Sequence, residues 1–425
     1  MEDLIQSLED YNYWKKAPSE LGIVKRDLYL KSLLKSRDNN LIKVLIGQRR
    51  TGKSYILKQF ISALINKEKV SPENILYVNF ELTAFQDIDD KKKLSKLIDI
   101  YLKERKIKRK SPVYFIFDEI QEVSGWEKVL SSLIADKNYP KEIYITGSNS
   151  KLLSSELATY ITGRYINIKV YPLSFQEYLN YHDKRASKDI FLKYLLDSQL
   201  PELLKIKDEQ IRSNYINSIK DSIILKDIVV RYRVQNIALL EKIFLFIIDN
   251  LSNLFSINSL VNKLNSQGYS TNAHTLGDYI KYLEEAMIIT GVSRYDLKGK
   301  KILEGEKKYY LTDLGFRHYL FSDFDSGIGK LLENYIFNYL KLSGYEVYIG
   351  KLGQYEIDFI VTKGKEKKYI QVSYLLYGEE VIAREYGNLA RIKDNWGKIV
   401  ISLDDVKLPP RDGIKHLQAW ELEGL

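Results

Sequence analysis

The stretch Gly47-Gln-Arg-Arg-Thr-Gly-Lys-Ser54 decides the fold of this 425-residue chain. It matches the G-x-x-x-x-G-K-S pattern of a phosphate-binding loop. An apolar, strand-like run at 41–46 precedes it and a helical pattern at Tyr55–Ile65 follows it, which is the context that the motif requires. The glycines allow the main chain to curl so that its N–H groups surround a phosphate. The sequence therefore predicts a nucleotide phosphate site between the first strand and its helix.

Side chains of this loop are expected to bind the phosphates and a metal ion of ATP. Lys53 would neutralise the β- and γ-phosphate oxygens, and Ser54 would be a ligand of Mg²⁺. The residues predicted to contact ATP are Gly47, Arg50, Thr51, Gly52, Lys53, Ser54 and Tyr55.

A second apolar strand ends in two acids, Asp118 and Glu119. We expect Asp118 to complete the Mg²⁺ site with Ser54 and Glu119 to polarise the attacking water. Two adjacent acids at a strand end can also cap the next helix. Their combination with a phosphate loop favours the catalytic interpretation.

The strand at Ile143–Thr146 runs into Gly147-Ser-Asn-Ser150. A polar side chain at this place is expected to contact the γ-phosphate, and Asn149 is preferred to Ser148 because its side chain is longer. Ser148 or Ser150 can alternatively be the N-cap of a helix.

Arg164 follows a predicted helix and precedes a fifth strand. Oligomeric ATPases place an arginine finger here, which reaches the γ-phosphate of a neighbouring subunit and stabilises transition-state charge. The alternative is an ordinary surface arginine paired with a nearby acid. The finger interpretation predicts a homo-oligomer.

Composition excludes several classes of protein. Cysteine is absent and only four histidines occur, which excludes disulfide scaffolds and thiolate sites and argues against structural zinc. No run reaches the roughly 18 apolar residues that a membrane helix needs. The first ten residues are acidic and mixed, unlike a secretory signal. We expect a cytoplasmic protein without a membrane partner.

The net charge of +9 is unevenly distributed, with +10 before residue 236, +1 over 236–320 and −2 after it. A basic cluster at 103–110, defined by Lys103, Arg105, Lys106, Lys108, Arg109 and Lys110, contributes to the first figure. It is either a solvated surface or a contact with the phosphate backbone of DNA. A second basic group lies around a predicted β-turn and comprises Lys298, Lys300, Lys301, Lys307 and Lys308. We expect this group to contact the backbone of DNA without reading its sequence, or to have only a packing role.

Taken together, these motifs resemble the archaeal and bacterial ATPases of the AAA+ superfamily that carry a C-terminal domain of unknown function. The resemblance rests on Gly47–Ser54, Asp118-Glu-Ile-Gln121, Thr146-Gly-Ser-Asn-Ser150, Thr162-Gly-Arg164, Pro172-Leu-Ser-Phe-x-Glu-Tyr178, Lys308-Tyr-Tyr-Leu-Thr-Asp-Leu-Gly315 and Tyr369-Ile-Gln-Val-Ser373. It covers nearly the whole chain. It implies ATP binding and hydrolysis by an AAA+ core, followed by a winged helix and a degenerate restriction-endonuclease-like domain.

Element patterns agree with this division and predict an α/β protein. Strands alternate with helices from 41 to 172, which predicts a parallel P-loop NTPase sheet of the AAA+ type. The predicted parts are an N-terminal helical segment (1–40), the P-loop ATPase core (41–172), a helical lid (173–235), a winged helix-turn-helix (236–322) and a small α/β restriction-endonuclease-like domain (323–425).

The last predicted part only partly keeps the nuclease pattern of a helical Glu, a strand Asp and then Glu-x-Lys. Glu333 and Asp358 fit the first two positions, but Gln371 replaces the second acid and Ser373 replaces the lysine. Glu356 shares a strand face with Asp358 and keeps a single-metal nuclease conceivable. We expect an inactive module.

The expected function is therefore a Mg²⁺-dependent, oligomeric ATPase that acts on or near DNA through non-specific contacts. Two alternatives remain: a nucleotide-operated switch whose C-terminal domains bind a protein partner, and an ATP-controlled nuclease. Tyr13 and Trp14, or Arg26, are candidates for framing the adenine.

Overall fold

The computed structural model of the chain describes residues 2–19, 21–149, 152, 161, 163–321, 327–422 and 425. Two compact units are present, Met1–Tyr171 and Pro172–Leu425. The predicted helix before Arg164 falls largely outside the described residues, as do Ser150 and Thr162.

A five-stranded parallel sheet forms the first unit. Its strands are β1 (Ile42–Ile46), β2 (Ile75–Asn79), β3 (Val113–Asp118), β4 (Lys141–Gly147) and β5 (Tyr165–Lys169). Their order is β2-β3-β4-β1-β5, and every neighbouring pair is parallel. All residues of β1, β3 and β4 are buried, as expected of a parallel sheet covered on both faces. The predicted parallel sheet is confirmed.

Helices follow or precede most of these strands. They are α1 (Glu2–Tyr11), α2 (Asp27–Lys35), α3 (Lys53–Asn66), α4 (Lys91–Glu104) and α5 (Trp126–Ala135). The start of α4 is fixed by Asp90, whose carboxylate accepts from the N–H groups of Lys92 and Lys93. The buried residues of α4 recur every three to four positions, so one face packs and the other carries lysines.

The second unit begins with helices. In chain order they are α6 (Phe175–His182), α7 (Lys188–Leu196), α8 (Glu209–Ser222), α9 (Ile237–Asp249), α10 (Ile257–Ser266), α11 (Ala273–Glu285), α12 (Gly315–Leu320), α13 (Ile328–Leu342) and α14 (Glu379–Ala390). A π-helix, Ile223–Val230, continues α8. None of the helices in the described part of the chain combines the length and apolar character that crossing a membrane demands.

A seven-stranded mixed sheet completes this unit. Its strands are β6 (Ile289–Asp296), β7 (Lys301–Leu311), β8 (Glu346–Leu352), β9 (Tyr355–Lys363), β10 (Glu366–Val372), β11 (Gly397–Ser402) and β12 (Lys415–Gln418), in the order β12-β11-β10-β9-β8-β6-β7. The antiparallel pair β6–β7 lies where the sequence predicts the wing of the winged helix. Because β6 also pairs in parallel with β8, one sheet joins the wing to the strands after residue 345. No pattern in the amino-acid sequence predicts this pairing.

Candidate active site

Three predicted site segments meet at one edge of the parallel sheet. The phosphate loop follows β1, the two acids end β3, and Asn149 follows β4. These strands are neighbours in the order β3-β4-β1, and parallel strands bring their carboxyl ends to the same edge. The topology therefore places the loop, the acids and Asn149 together, in agreement with the sequence prediction.

Backbone geometry of the phosphate loop depends on residues with positive φ. Gly52 has φ 91° and stands immediately before α3, while Arg50 has φ 69°. The hydroxyl of Thr51 donates to the carbonyl oxygen of Gln48 at 2.9 Å and closes the turn. The first helical residue is Lys53, so the N–H groups at the start of α3 are available to a phosphate.

Gly47 permits a close approach between the loop and the end of β5. A Cβ atom at this position would lie 2.3 Å from the main-chain oxygen of Val170, which no real Cβ tolerates. The main-chain N–H of Val170 also donates to the oxygen of Ile46 at 2.6 Å. This glycine is therefore needed for packing of the loop as well as for access to a phosphate.

Lys53 is buried at the centre of the site. Its ammonium group donates to the carbonyl oxygens of Gly47 at 3.0 Å and Gln48 at 3.4 Å. The same nitrogen lies 3.6 Å from Oε1 of Glu119. The structure thus brings the predicted phosphate-binding cation and the predicted catalytic acid into one group. Ser54 and Tyr55 follow on the first turn of α3.

Asp118 is fully buried and surrounded by hydroxyl groups. Tyr77 donates to Oδ2 at 3.0 Å and Thr146 donates to Oδ1. Burial and the adjacent charge of Glu119 raise the pKa of Asp118, while hydrogen bonds from Thr146, Ser54 and Tyr77 act in the opposite direction. The contact between Ser54 and Asp118 joins the two predicted Mg²⁺ ligands.

Glu119 has a left-handed backbone, with φ 55° and ψ 47°. Its N–H donates to the hydroxyl of Thr146 at 2.9 Å, and its carboxylate accepts from the side-chain amide of Gln121 at 2.6 Å. Burial alone would raise the pKa of Glu119. The charge of Lys53 and the hydrogen bond from Gln121 nevertheless hold it below its usual range. Glu119 is therefore ionised at neutral pH, as a general base must be.

The residues present fit a magnesium ion. Ser54 supplies a hydroxyl and Asp118 a carboxylate, and the two side chains are hydrogen-bonded to each other. Oxygen ligands of this kind, completed by water and phosphate oxygens, are what Mg²⁺ takes in nucleotide sites.

Two adenine candidates from the sequence have structural contacts instead. Arg26 is buried and donates to the carbonyl oxygens of Thr51 at 2.8 Å and Tyr171 at 2.7 Å, so it fastens the phosphate loop to the chain beyond β5. The indole N–H of Trp14 donates to the carbonyl oxygen of Ile75 at 2.7 Å. These contacts correct the expectation that Arg26 or Trp14 frames the adenine. Tyr13 is half-buried and stays a prediction.

Asn149 is 2% exposed and lies at the same edge of the sheet as the phosphate loop. Ser148 beside it is also buried. The carbonyl oxygen of Asn149 accepts from the N–H of Leu152 at 3.2 Å. The choice between Asn149 and Ser148 for the γ-phosphate stays a prediction.

Arg164 lies at the other side of the sheet, where the parallel strands begin. It is exposed and immediately precedes β5, and its carbonyl oxygen accepts from the N–H of Ile42 at the start of β1. A cavity of about 560 Å³ lies beside it and is lined by Arg164, Asn40, Asp136, Lys137 and Tyr139 among others. Since parallel strands separate their two ends, Arg164 does not join the phosphate site of its own chain.

The two predicted basic groups differ in exposure. In the cluster at 103–110, five side chains are exposed, whereas Arg105 pairs with Glu9 at 2.8 Å and stacks on Trp14 at 3.8 Å. On the wing, Lys298, Lys300 and Lys301 are exposed. Lys308 is buried among carboxylates, which corrects the expectation that it contacts DNA.

Sequence reasoning did not identify three positioning residues. Thr146 bridges the two acids, Gln121 holds the carboxylate of Glu119, and Tyr77 holds that of Asp118. Thr146 and Gln121 lie inside the quoted motifs, so their place next to the predicted site was a usable signal. Tyr77 lies on β2, and only the strand order brings it to Asp118.

Two family models match consecutive parts of the chain. A family model described as an AAA domain matches residues 39–179, and a domain of unknown function matches residues 188–327. The first range contains the phosphate loop, the two acids, Asn149 and Arg164. Among solved structures, a Walker-type ATPase of Pyrococcus abyssi has a TM-score of 0.44 and 16% identity, over 70% of this chain and 95% of that chain.

Two relatives extend over most of the chain. An uncharacterized protein of Haemophilus influenzae is 36% identical over 95% of this chain and 99% of its own length. An uncharacterized protein of Methanocaldococcus jannaschii is 32% identical over 83% of this chain and 78% of its own length. The chain therefore belongs to the same family as these bacterial and archaeal proteins, and its phosphate site lies in an AAA domain.

Proposed function

We propose that this protein is a Mg²⁺-dependent ATPase. ATP is bound by the main chain of the phosphate loop and by Lys53, with Ser54 and Asp118 holding the metal ion. The observation that carries the proposal is the 3.6 Å separation between the buried ammonium of Lys53 and the carboxylate of Glu119. A phosphate-binding cation and an ionised base so close together suit attack of water on a γ-phosphate.

Each residue has a defined part in the hydrolysis. Mg²⁺, when bound, neutralises charge on the β- and γ-phosphate oxygens. Lys53 binds these oxygens. The carboxylate of Glu119 accepts a hydrogen bond from the attacking water and orients it. Asn149 contacts the γ-phosphate. Thr146 keeps Asp118 and Glu119 in register because its hydroxyl bonds to both.

Two variants test the proposal. Lys53→Ala should abolish ATP binding, and Glu119→Gln should bind ATP but hydrolyse it at least about a hundredfold more slowly, which is the usual contribution of a general base. Lys67→Ala and Glu122→Gln remove the same charges from exposed positions outside the site and should hydrolyse ATP normally. Phosphate release measured with MgATP distinguishes them. Wild-type rates in both site variants would sink the assignment.

The position of Arg164 supports an oligomeric enzyme. It is exposed and lies at the edge of the sheet away from its own phosphate loop, so it can act only on the nucleotide of a neighbouring copy. Arg164→Ala should then lose about 10³–10⁵ in rate. Mixing it with the equally inactive Lys53→Ala protein should restore activity, because each supplies what the other lacks. If the mixture is as inactive as each variant alone, Arg164 does not act on the nucleotide of a neighbouring subunit.

We propose DNA as the polymer on or near which the enzyme acts. Support comes from the +10 charge of residues 1–235 and from the exposed side chains of the cluster at 103–110. Clustered cations bind phosphate backbones by releasing counterions, which requires no sequence-specific contact. The exposed lysines of the wing are a second contact surface. The predicted winged helix itself is nearly neutral, which does not favour base reading.

Salt dependence tests the DNA proposal against a protein partner. Replacing four exposed residues of the cluster with alanine should weaken binding to duplex DNA and reduce the slope of log K against log[salt] by about 0.9 per lost contact. The substituted residues are Lys106, Lys108, Arg109 and Lys110. A control with the same charge change replaces the exposed Lys365, Lys393, Lys407 and Lys415. Equal slopes in both variants, or ATP hydrolysis indifferent to DNA, would favour the protein-partner alternative.

The predicted division of the chain stays part of the proposal. We assign the ATPase core to 41–172, with the helical segment 1–40 before it and the lid at 173–235 after it. The winged helix at 236–322 and the last part at 323–425 share one sheet through β6 and β8. These two parts are therefore expected to move as one body.

A further inference from the structure

A cluster of buried charges in the second unit differs from what its nuclease pattern requires. The structure brings together the acids that the sequence matched to that pattern: Glu333 on α13 and Asp358 on β9. Gln371 on β10 lies beside Asp358, whose N–H donates to its side-chain oxygen at 3.4 Å. The next N–H, that of Val372, donates to Oδ2 of Asp358 at 2.8 Å. The frame of a metal-dependent nuclease is thus assembled.

The centre of this frame contains a lysine. The ammonium nitrogen of Lys308 lies 3.0 Å from Glu333, 2.8 Å from Glu356 and 3.7 Å from Asp358. Tyr310, two residues further along β7, donates to the same oxygen of Glu333 at 2.7 Å. Both side chains come from β7, which lies outside the set of elements in the nuclease pattern.

We propose that the ammonium group of Lys308 replaces the divalent cation of a nuclease centre, so that this carboxylate cluster is closed to metal ions and fastens β7 to α13 and β9. A divalent cation bound to these carboxylates would lie close to the fixed positive charge of Lys308, and the strong repulsion would exclude it. Consistent with this, no group of three or more His, Asp or Glu side chains in the described ranges is arranged to hold a metal ion.

Electrostatics agree with the geometry. Burial by itself lowers the pKa of Lys308, but the three surrounding carboxylates raise it well above its usual range, so the charge is permanent. Burial raises the pKa of Asp358 to about 8, with Glu333 adding to the effect. One ammonium and partly protonated acids therefore leave a small net charge, which suits a buried structural cluster better than a metal site.

The inference is independent of the ATPase proposal, since the cluster lies wholly in the second unit. It also distinguishes two roles of the C-terminal domain. A nuclease needs its carboxylates free for metal and substrate. Here the carboxylates bind Lys308 on β7, a strand of the predicted wing. The C-terminal domain therefore has a structural role, which is to hold this strand in place.

Five full-length proteins test the proposal by counting bound Mn²⁺ with electron paramagnetic resonance. The wild type and Asp358→Asn should bind the same number of ions. Lys308→Met should gain one further ion, and Lys308→Met combined with Asp358→Asn should lose it again. Lys307→Met is the matched control on the same strand and should gain none. A wild-type ion that disappears with Asp358→Asn would overturn the proposal.

Thermal unfolding covers the case in which Lys308→Met folds poorly. Removing the ammonium group of Lys308 leaves a buried group of acids without this compensating charge, so the variant should melt below the wild type. Mn²⁺ should raise its unfolding temperature more than that of the wild type or of Lys307→Met, because ions binding only the folded state stabilise it. If Mn²⁺ leaves the unfolding temperature of Lys308→Met unchanged, the proposal is contradicted.

Discussion

Replacing Arg26 with methionine should loosen the phosphate loop from a position outside the loop. Arg26 is 2% exposed, and its guanidinium donates to the carbonyl oxygens of Thr51 and Tyr171. It also lies 4.8 Å from the centre of the Tyr29 ring. Methionine keeps the apolar stem and removes both hydrogen bonds. The carbonyl oxygen of Thr51, in the middle of the phosphate loop, would then be buried without this donor.

The size of the effect follows from these contacts. A hydrogen bond from a charged donor contributes about 1.5–3 kcal/mol, so losing two lowers the free energy of unfolding by about 3 kcal/mol or more. Arg37→Met is a suitable control. Arg37 pairs with Glu68 at 2.6 Å, but both side chains are partly exposed, so the loss should be about 1 kcal/mol or less. If half of the free energy lost in Arg26→Met comes from weaker ordering of the phosphate loop, the Kd for ATP rises about tenfold.

Two measurements check this reasoning. Guanidinium unfolding is followed by tryptophan fluorescence in a background where Trp396 and Trp420 are replaced with phenylalanine. The signal then comes from Trp14 and Trp126 and reports the stability of the first unit, in which both lie. Titration with a fluorescent ATP analogue reports the loop. If Arg26→Met is no more destabilised than Arg37→Met, the hydrogen bonds do not carry the energy assigned to them. If it is destabilised but binds ATP normally, the loop does not depend on Arg26.

Three further predictions concern the site itself. Gln121→Leu removes a hydrogen bond that lowers the pKa of Glu119, so the acid limb of the pH–rate profile should move to higher pH, and an unchanged limb would refute a positioning role. Thr146→Val keeps the shape but strands the buried N–H of Glu119 at a cost of about 1–3 kcal/mol, which should appear as a lower midpoint in urea and a higher Mg²⁺ requirement. Gly47→Ala should abolish binding of the ATP analogue, because its Cβ would collide with the oxygen of Val170, and normal affinity would show that the loop adapts.

Local patterns predicted the ATPase half well. The phosphate loop, the Asp118–Glu119 pair and all five strands were recognisable because each is a continuous segment with its own apolar or glycine pattern. The edge at which they meet then followed from the general behaviour of parallel strands. Residues that act through contacts distant in sequence were not predictable. Arg26 reaches Tyr171 across 145 positions, and no periodicity marks such a pair.

The misassigned lysine of the wing shows why composition alone misleads about DNA contact. Lys308 follows Lys307 directly and looks like part of one basic surface. In a strand, however, successive side chains point to opposite faces, so adjacent lysines cannot both face solvent when one face is packed. Here Lys308 takes the packed face because three acids, brought by α13 and β9, compensate its charge. The wing therefore offers fewer free cations than its sequence suggests, and the cluster at 103–110 becomes the stronger candidate for binding a phosphate backbone.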